Sequence, residues 1–363
     1  MGNRDYSPFG ADAKRAVESG LTSAEWYHAE VPRKVMKELM SRSDGPAIRD
    51  TVLLYGLMLT FALAGIATWG SLWTVPFWIA YGVLYGSASD SRWHECGHGT
   101  AFRTPWMNNW VYQISSFMIM RNPATWRWSH ARHHSETYLV GRDPEIAVMR
   151  PTAAARLILN FCGIIDVVNF VPTLVRNAIS GPTPAEKTFV PDSEWPEVRR
   201  VAQIHLAIYL ATVALAVAIG SILPLMVIGL PRIYGAWHHV MTGLLQHGGL
   251  ADNVIDHRLN SRTVYMNPVS RFIYWNMNYH VEHHMFPMVP YHALPRLHEV
   301  IKDDLPAPNR SIAAAFVEMW PALMRQMRQE DFFLKRALPP TAQPYREDFH
   351  LYVPGMMPPK PEK

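Results

Sequence analysis

Cysteine is scarce in this chain of 363 residues, which contains only Cys96 and Cys162. Two cysteines cannot form a disulfide framework, and so few are typical of a reducing compartment. The first ten residues contain no apolar stretch, so we expect no cleavable signal peptide. No run of Lys and Arg is interleaved with aromatic residues, which argues against nucleic acid as a partner.

Charge is missing from several long stretches, and these stretches are strongly apolar. About 20 apolar residues span the hydrocarbon core of a bilayer. Short uncharged turns at Gly70-Ser71 and Gly220-Ser221 divide the apolar stretches into two pairs, which predicts two helical hairpins. Arg232 interrupts the last stretch, so its charge should face the protein or the interface. The four predicted spans are Val52–Trp69, Trp73–Ala88, Val201–Ile219 and Ile222–His238.

Histidine, in contrast, is concentrated in three short boxes, His94-Glu95-Cys96-Gly97-His98, His130-Ala131-Arg132-His133-His134 and His280-Val281-Glu282-His283-His284. Residues separated by three or four positions share one face of a helix, so each box directs its imidazoles to one side. Imidazole suits iron, zinc, copper and nickel, and eight imidazoles exceed the three or four ligands of one zinc ion. We therefore predict two metal ions in one site. The candidate ligands are His94, His98, His130, His133, His134, His280, His283 and His284.

These boxes, with their flanking residues His94 to Gly99 and Asn278 to Pro287, resemble the three motifs of the membrane fatty acid desaturase superfamily. The resemblance includes the order of the boxes and extends from about residue 50 to residue 300. Residues 258–297 look most like bacterial members near the dihydrorhizobitoxine desaturase branch. The family further implies an extra histidine ligand soon after the fourth span, and Gln246-His247-Gly248 matches that position.

The resemblance implies two iron ions, dioxygen as co-substrate, and a lipid or acyl substrate. It also implies an external electron donor, ferredoxin or a cytochrome b5-like protein with its reductase, because the chain shows no flavin or haem motif. The expected function is an O2-dependent desaturase. A hydroxylase on the same scaffold is the alternative, and a non-redox zinc hydrolase or metal-binding membrane protein is an alternative of another class.

The three boxes can meet only on one side of the membrane, so an even number of spans must separate box 2 from box 3. Residues 156–177 are the most polar of three candidates, with Asn160, Asp166, Asn169 and Pro172, and we assign them to the interface. The predicted fold is an all-α integral membrane protein with four transmembrane helices in two hairpins and a cytoplasmic helical cap holding the di-metal site. The positive-inside rule places the cap and both termini in the cytoplasm, at a bacterial inner membrane.

Three regions follow from this reading. Residues 1–50 form a cytoplasmic segment in which Glu25–Met40 is an amphipathic helix, either on the membrane surface or packed against the protein. Residues 51–300 form the membrane desaturase domain. Residues 301–363 contain a soluble helix from Ile312 to Arg328 and a Pro-rich tail, extended or disordered, from Pro339.

The remaining candidates surround the boxes. Carboxylates often accept a hydrogen bond from the outer ring nitrogen of a metal-bound histidine, and the candidates are Glu95, Glu136, Asp143, Glu145 and Glu282. Cys96 lies about 200° around a helix from His94 and should face away from the site. We expect His238 and His239 to lie at the membrane boundary and His257, near Asp252 and Asp256, to be solvated. The isolated histidines, expected to be structural, are His28, His205, His292, His298 and His350.

Overall fold

The computed structural model describes residues 4–347, which are helical apart from turns, loops and two isolated β-bridges. The first half contains α1 Ala11–Glu18, α2 Arg33–Leu39, α3 Asp44–Ala67, α4 Thr74–Val83, α5 Ser89–Gly97, α6 Pro105–Met118, α7 Pro123–Ser135, α8 Ala154–Phe161 and α9 Ile164–Ser180. The second half contains α10 Trp195–Ala218, α11 Leu223–Val227, α12 Pro231–Gly235, α13 Trp237–His247, α14 His257–Asn260, α15 Pro268–Tyr274, α16 His280–Met285, α17 Leu294–Ile301 and α18 Ile312–Gln326. Short 3-10 turns lie at Leu21–Ser23, Glu186–Thr188, Asp192–Glu194 and Lys302–Asp304, and a π-helix at Leu84–Ala88 joins α4 to α5.

Two helical stretches, Arg33–Ala67 and Asp192–Ala218, are long and apolar enough to cross a membrane, and the bent pair α8–α9 would make a third if it were one span. The predicted spans 52–69 and 201–219 fall almost entirely in these two stretches, although α3 and α10 begin several residues earlier and end two residues and one residue before the predicted ends. Both helices keep large apolar side chains exposed, as a lipid-facing surface requires. Each of them supplies the first limb of a predicted hairpin.

The second limbs of the two hairpins pack against each other. Within the first predicted hairpin, Gly65 on α3 lies directly against the ring of Trp78 on α4. Gly235 on α12 approaches Gly82 on α4 so closely that a Cβ at Gly235 would overlap the Gly82 carbonyl group. Ser87 Oγ also donates a hydrogen bond of 2.6 Å to the Gly235 carbonyl oxygen. The second limbs of the two predicted hairpins are therefore in direct contact.

The second of these limbs is not one helix, although 222–238 is predicted as a continuous span. It consists of α11, α12 and the start of α13. Gly229 between α11 and α12 has a φ of 93°, and Pro231 begins α12 without a backbone N–H. Arg232 on this limb is 1% exposed and pairs with Asp166, so its charge faces the protein, as expected.

Helices α8 and α9 meet at an angle of 83°. Gly163 at the bend has a φ of 61°, a conformation that glycine adopts at little cost. The outer face of the pair is apolar and exposed, with Ile158 61%, Val168 61% and Ile179 64% exposed. This exposed face suits the interfacial position expected for residues 156–177.

The segments on either side of the membrane domain pack against it. Only Arg33–Leu39 of the predicted helix Glu25–Met40 is helical, and Leu39, Val35 and Met36 contact the main apolar core. This helix therefore packs against the protein. Helix α18 ends at Gln326, two residues before the expected end. Residues 339–347 have no regular helix, and the rest of the Pro-rich tail lies outside the described residues.

Candidate metal centre

The four histidine-bearing segments begin or end near one another, and short helices present their imidazoles. Box 1 occupies the end of α5, box 2 lies on α7, box 3 begins α16, and His247 ends α13. Helix α7 starts at Pro123, and the Asn122 side chain accepts a hydrogen bond of 3.1 Å from the Ala124 N–H. This cap sets the start of α7 and so the direction in which box 2 points.

The nine predicted ligands form two adjacent groups in which every potential ligand nitrogen lies within 4.8 Å of the others in its group. The first group is His94, His98, His130, His134 and His283, and the second is His133, His247, His280 and His284. The two groups are in contact, because the ring centroids of His134 and His284 are 4.5 Å apart. Nine imidazoles thus surround two neighbouring positions.

The spacing between the ring nitrogens fits metal coordination. The Nε2 atoms are 3.1 Å apart between His98 and His130, 3.0 Å apart between His280 and His247, and 2.6 Å apart between His94 and His283. Nitrogens bound at about 2.1 Å to one ion would be about 3.0–3.4 Å apart in octahedral or tetrahedral geometry. The first two distances match this range, and the His94–His283 distance is shorter. Without a metal ion, two imidazole nitrogens at this distance would be compatible only if one donated a hydrogen bond and the other accepted it.

The protonation of the histidines also suits metal binding, which requires neutral imidazole. Burial lowers the pKa of eight of the nine histidines, and the charges of neighbouring imidazoles are the second cause. Burial lowers the pKa of His98 to about 4. His133 is the exception: burial lowers its pKa, but Asp143 outweighs burial and the net shift is upward. Neutral imidazoles of this kind suit borderline divalent cations such as iron, zinc, copper or nickel.

Two of the five candidate carboxylates reach box histidines. Asp143 accepts a hydrogen bond of 2.8 Å from His133 Nδ1, and Glu145 accepts one of 3.0 Å from His130 Nδ1. Asp143 is itself held by the backbone N–H groups of Tyr138 and Glu145. With Nδ1 engaged in this way, Nε2 of each ring points toward the centre.

The other three carboxylates have different partners. Glu136 pairs with Arg132 and Arg142 on the surface of α7. Glu95 accepts hydrogen bonds from Thr100 Oγ1 and the Tyr291 N–H. Glu282 accepts one from Thr263 and contacts His298, one of the isolated histidines expected to be structural. These three carboxylates hold the scaffold and do not contact a box histidine.

His247 joins the second group, as the family resemblance implied. Its Nδ1 lies 2.7 Å from the Asn260 carbonyl oxygen, which leaves Nε2 directed at His280. His238 contacts Ser270 and His239 pairs with Asp90, so neither belongs to a group. Cys96 is buried in the apolar core and lies outside both groups.

The prediction that His257 is solvated is wrong. It is 2% exposed, stacks on Trp26 at 4.2 Å between centroids, and lies 5.0 Å from the His284 ring. The acidic neighbour that suggested solvent exposure, Asp256, is instead buried as the partner of Arg258. Of the other isolated histidines, His28, His205 and His292 lie outside both groups, and His350 lies outside the described residues.

A cavity of about 620 Å³ leads to both groups of histidines. It reaches His94 and His130 of the first group and His133, His247 and His280 of the second. Such a volume is in the range of small-molecule sites. Two ion pairs line it, the mostly buried Asp90–Arg121 and the partly exposed Asp166–Arg232, and the sequence does not indicate either pair because the partners are distant in the chain.

Residues 67–315, well over half of the chain, match the family model of fatty acid desaturases. The chain therefore belongs to the fatty acid desaturase family. With its apolar helices, it is a membrane protein that carries a histidine-rich candidate metal centre.

The chain shares low sequence identity with individual relatives, but the alignments with two of them cover most of its length. The chain is 25% identical over 295 residues to a chloroplastic omega-3 fatty acid desaturase of Glycine max, covering 76% of this chain and 63% of that protein. It is 24% identical over 287 residues to the acyl-lipid omega-3 desaturase (cytochrome b5) of the endoplasmic reticulum of Arabidopsis thaliana, covering 73% and 72%. A shorter match, 29% over 113 residues, covers 31% of this chain and 30% of an sn-1 acyl-lipid omega-3 desaturase (ferredoxin) of Synechocystis sp.. The chain thus spans less than two thirds of the soybean protein.

Proposed function

We propose that this protein is an O2-dependent di-iron desaturase that introduces a double bond into a fatty-acyl or related aliphatic chain. The observation that carries the proposal is the convergence of nine imidazoles in two adjacent groups, five of which line one cavity. When bound, two iron ions would supply the oxidant that removes hydrogen from an unactivated C–H bond. Family membership supports this chemistry over other uses of a nitrogen-rich site.

The electron balance requires a partner. Forming one double bond releases two electrons and two protons, whereas reducing dioxygen to two waters consumes four of each. Two further electrons must therefore come from an external carrier and its reductase. The names of two relatives specify cytochrome b5 and ferredoxin, and a carrier of one of these kinds is the proposed donor.

The residues of the site have distinct roles in this proposal. The five histidines of the first group would hold one iron and the four of the second group the other. Asp143 and Glu145 would keep His133 and His130 oriented, and the Asn260 carbonyl would do the same for His247. Burial of these side chains excludes bulk water from the reacting atoms.

We also propose the four-span topology, with the metal centre and both termini in the cytoplasm of a bacterium. Helices α3 and α10 would be the outgoing spans, and the limbs that pack through Gly82 and Gly235 would return the chain to the same side. The polar, bent pair α8–α9 would remain in the interface. This arrangement places all three boxes on one side of the membrane.

A hydroxylase on the same scaffold is the second candidate, because return of oxygen after the first hydrogen abstraction gives an alcohol. A zinc hydrolase is disfavoured, since nine histidines in two groups exceed the needs of one zinc ion. Metal content and product therefore separate the candidates.

The test combines metal analysis with product analysis by mass spectrometry after expression in a host of defined lipids. We expect about two irons per chain and a product two hydrogens lighter than the substrate. His94→Ala, His133→Ala and His283→Ala should each abolish activity, while His28→Ala, at an exposed position outside both groups, should not. One zinc per chain, or a box variant that keeps more than about a tenth of the activity, would contradict the proposal.

A further inference from the structure

Thr137 lies in the turn that follows α7, just beyond box 2, and it is fully buried. Its side-chain hydroxyl has two neighbours. The Oγ1 atom lies 2.6 Å from the carbonyl oxygen of His133 and 3.3 Å from Nδ1 of His284. The hydroxyl therefore links two members of the second group, one from box 2 and one from box 3.

The single proton of the Thr137 hydroxyl determines which nitrogen of His284 is free. A carbonyl oxygen can only accept a hydrogen bond, so the hydroxyl donates to the carbonyl of His133. The contact between Thr137 Oγ1 and the His284 ring is then a hydrogen bond only if Nδ1 carries the ring proton and donates. A neutral imidazole carries one ring proton, so Nε2 keeps its lone pair. This is the tautomer that a ligand bound through Nε2 requires.

The nitrogen that Thr137 leaves unprotonated faces the centre of the second group. The Nε2 atom of His284 lies 3.0 Å from Nε2 of His280. The same Nε2 of His280 lies 3.0 Å from Nε2 of His247. The hydroxyl thus holds the outer side of a ring whose inner side meets the other ligands.

The main chain of Thr137 is held in turn by Asn260, which is also fully buried. The Nδ2 atom of Asn260 donates a hydrogen bond of 3.2 Å to the carbonyl oxygen of Thr137. The carbonyl oxygen of Asn260 lies 2.7 Å from Nδ1 of His247. These two connected residues therefore contact the outer nitrogens of two of the four members of the second group. Within the described residues, the hydrogen bonds of the Thr137 hydroxyl involve only this group.

We propose that Thr137 is a positioning residue of the metal centre, whose hydroxyl fixes the tautomer and the ring direction of His284 and so the ligand geometry of the second group. The proposal rests on the proposed function, in which the second group holds one of the two iron ions. It assigns a role to a residue outside the histidine boxes that does not line the large cavity and acts only through His284.

The experiment compares Thr137→Val with Thr137→Ser in the full-length, iron-loaded protein. Valine keeps the shape of the side chain and removes the hydroxyl, whereas serine keeps the hydroxyl. Thr137→Val should weaken the binding of one of the two ions about 10–100-fold in chelator competition and leave the other unchanged. Thr137→Ser should bind both ions as the unaltered protein does. Full affinity in Thr137→Val, or an equal loss in Thr137→Ser, would overturn the proposal.

Thr152→Val is the matched control. Thr152 is also buried, at 3% exposed, and its hydroxyl has no hydrogen-bond partner within residues 4–347. This substitution should leave the affinity for both ions unchanged. If Thr137→Val does not fold, Thr137→Ala removes the hydroxyl without placing a methyl group against the His284 ring and takes its place in the comparison.

Two further measurements separate a positioning role from a general loss of stability. In the Mössbauer spectrum at saturating iron, Thr137→Val should change the signal of one ion while the other keeps its parameters. In a His247→Ala background, where the second group has already lost a ligand, Thr137→Val should not weaken binding of the remaining ion. A change in both signals, or further weakening in the double variant, would contradict the proposal.

Product analysis separates this proposal from the proposed function. If acyl chains are desaturated while Thr137→Val retains both ions with unchanged affinity and spectrum, the role of Thr137 is wrong and the desaturase function stands. If Thr137→Val loses one ion and Thr137→Ser does not, but the iron-loaded protein with dioxygen and a donor forms no product, the positioning role stands and the proposed function fails.

Discussion

Replacing His247 with alanine should lower the iron content from about two to about one ion per chain. The second group would fall from four imidazoles to three, while the first group would keep its five. His247 cannot be replaced by a neighbouring ring, because His238 contacts Ser270 and His239 is paired with Asp90. The ion that loses His247 should therefore dissociate during purification.

His257→Ala is the matched control for this experiment. His257 is as deeply buried as His247, at 2% and 6% exposed, and its ring lies 5.0 Å from that of His284, but it belongs to neither group. Its removal costs the stacking contact with Trp26, about 0.5–1.5 kcal/mol of the free energy of unfolding. We expect a lower Tm and an unchanged iron content of about two per chain.

The assay is iron and protein quantification on both detergent-purified variants after removal of loosely bound metal. Circular dichroism and size-exclusion chromatography establish that each variant is folded. Full iron occupancy in His247→Ala would refute the assignment of His247 as a ligand. Equal iron loss from both variants would show that the loss comes from disturbed packing and not from a missing nitrogen.

Three further predictions concern the surroundings of the site. Asp143→Asn and Glu145→Gln should each weaken iron binding about 10–100-fold in chelator competition. Glu136→Gln should leave iron binding unchanged, because the partners of Glu136 are Arg132 and Arg142. Equal effects of the three substitutions would contradict the roles given to Asp143 and Glu145. The metal-free protein should lose stability on acidification below the ordinary histidine pKa of 6.5. The site histidines have lowered pKa values in the folded state, so the unfolded chain binds more protons than the folded chain in this pH range. Urea unfolding between about pH 7 and 4 should show the decrease, and stability that rises on acidification would refute the prediction. Reporter tags at residues 1 and 363 should both report the cytoplasm and a tag at Gly70-Ser71 the opposite side, whereas termini on different sides would mean an odd number of spans, with α8–α9 as the added one.

Helical periodicity is local, so the sequence indicates that the box histidines converge, but it does not indicate how they divide, since boxes 2 and 3 each contribute to both groups. Within each box, spacings of three and four residues are enough to place the imidazoles on one face. The carboxylates that support them depend on the turn after α7, where Tyr138 and Gly141 adopt positive φ and bring Asp143 and Glu145 back to the site. Nothing in the spacing distinguishes these two residues from Glu136, which lies closer to box 2 in the chain.

The apolar stretches show a second limit of sequence reading. Composition identifies residues 222–238 as apolar, but it does not separate one helix from the short helices α11 and α12 broken at Gly229. Likewise, the polar residues of α9 indicate that it is a poor span, while the direction in which they point depends on its packing against α10 and α12. The prediction for His257 fails because Asp256 is buried through its pairing with Arg258, a tertiary feature.

The π-helix at Leu84–Ala88 connects the membrane limb α4 directly to α5, which carries box 1. Each residue turns an α-helix by about 100°, and the wider π-turn takes up one extra residue with little change in the rotational phase of the helix that follows. Loss of one residue here would therefore restore a regular helix and leave His94 and His98 facing the other boxes, whereas loss of one residue from the regular helix α4 would rotate them by about 100°. The direction in which the two box 1 histidines point thus tolerates a change in the length of this five-residue segment, which contains no histidine.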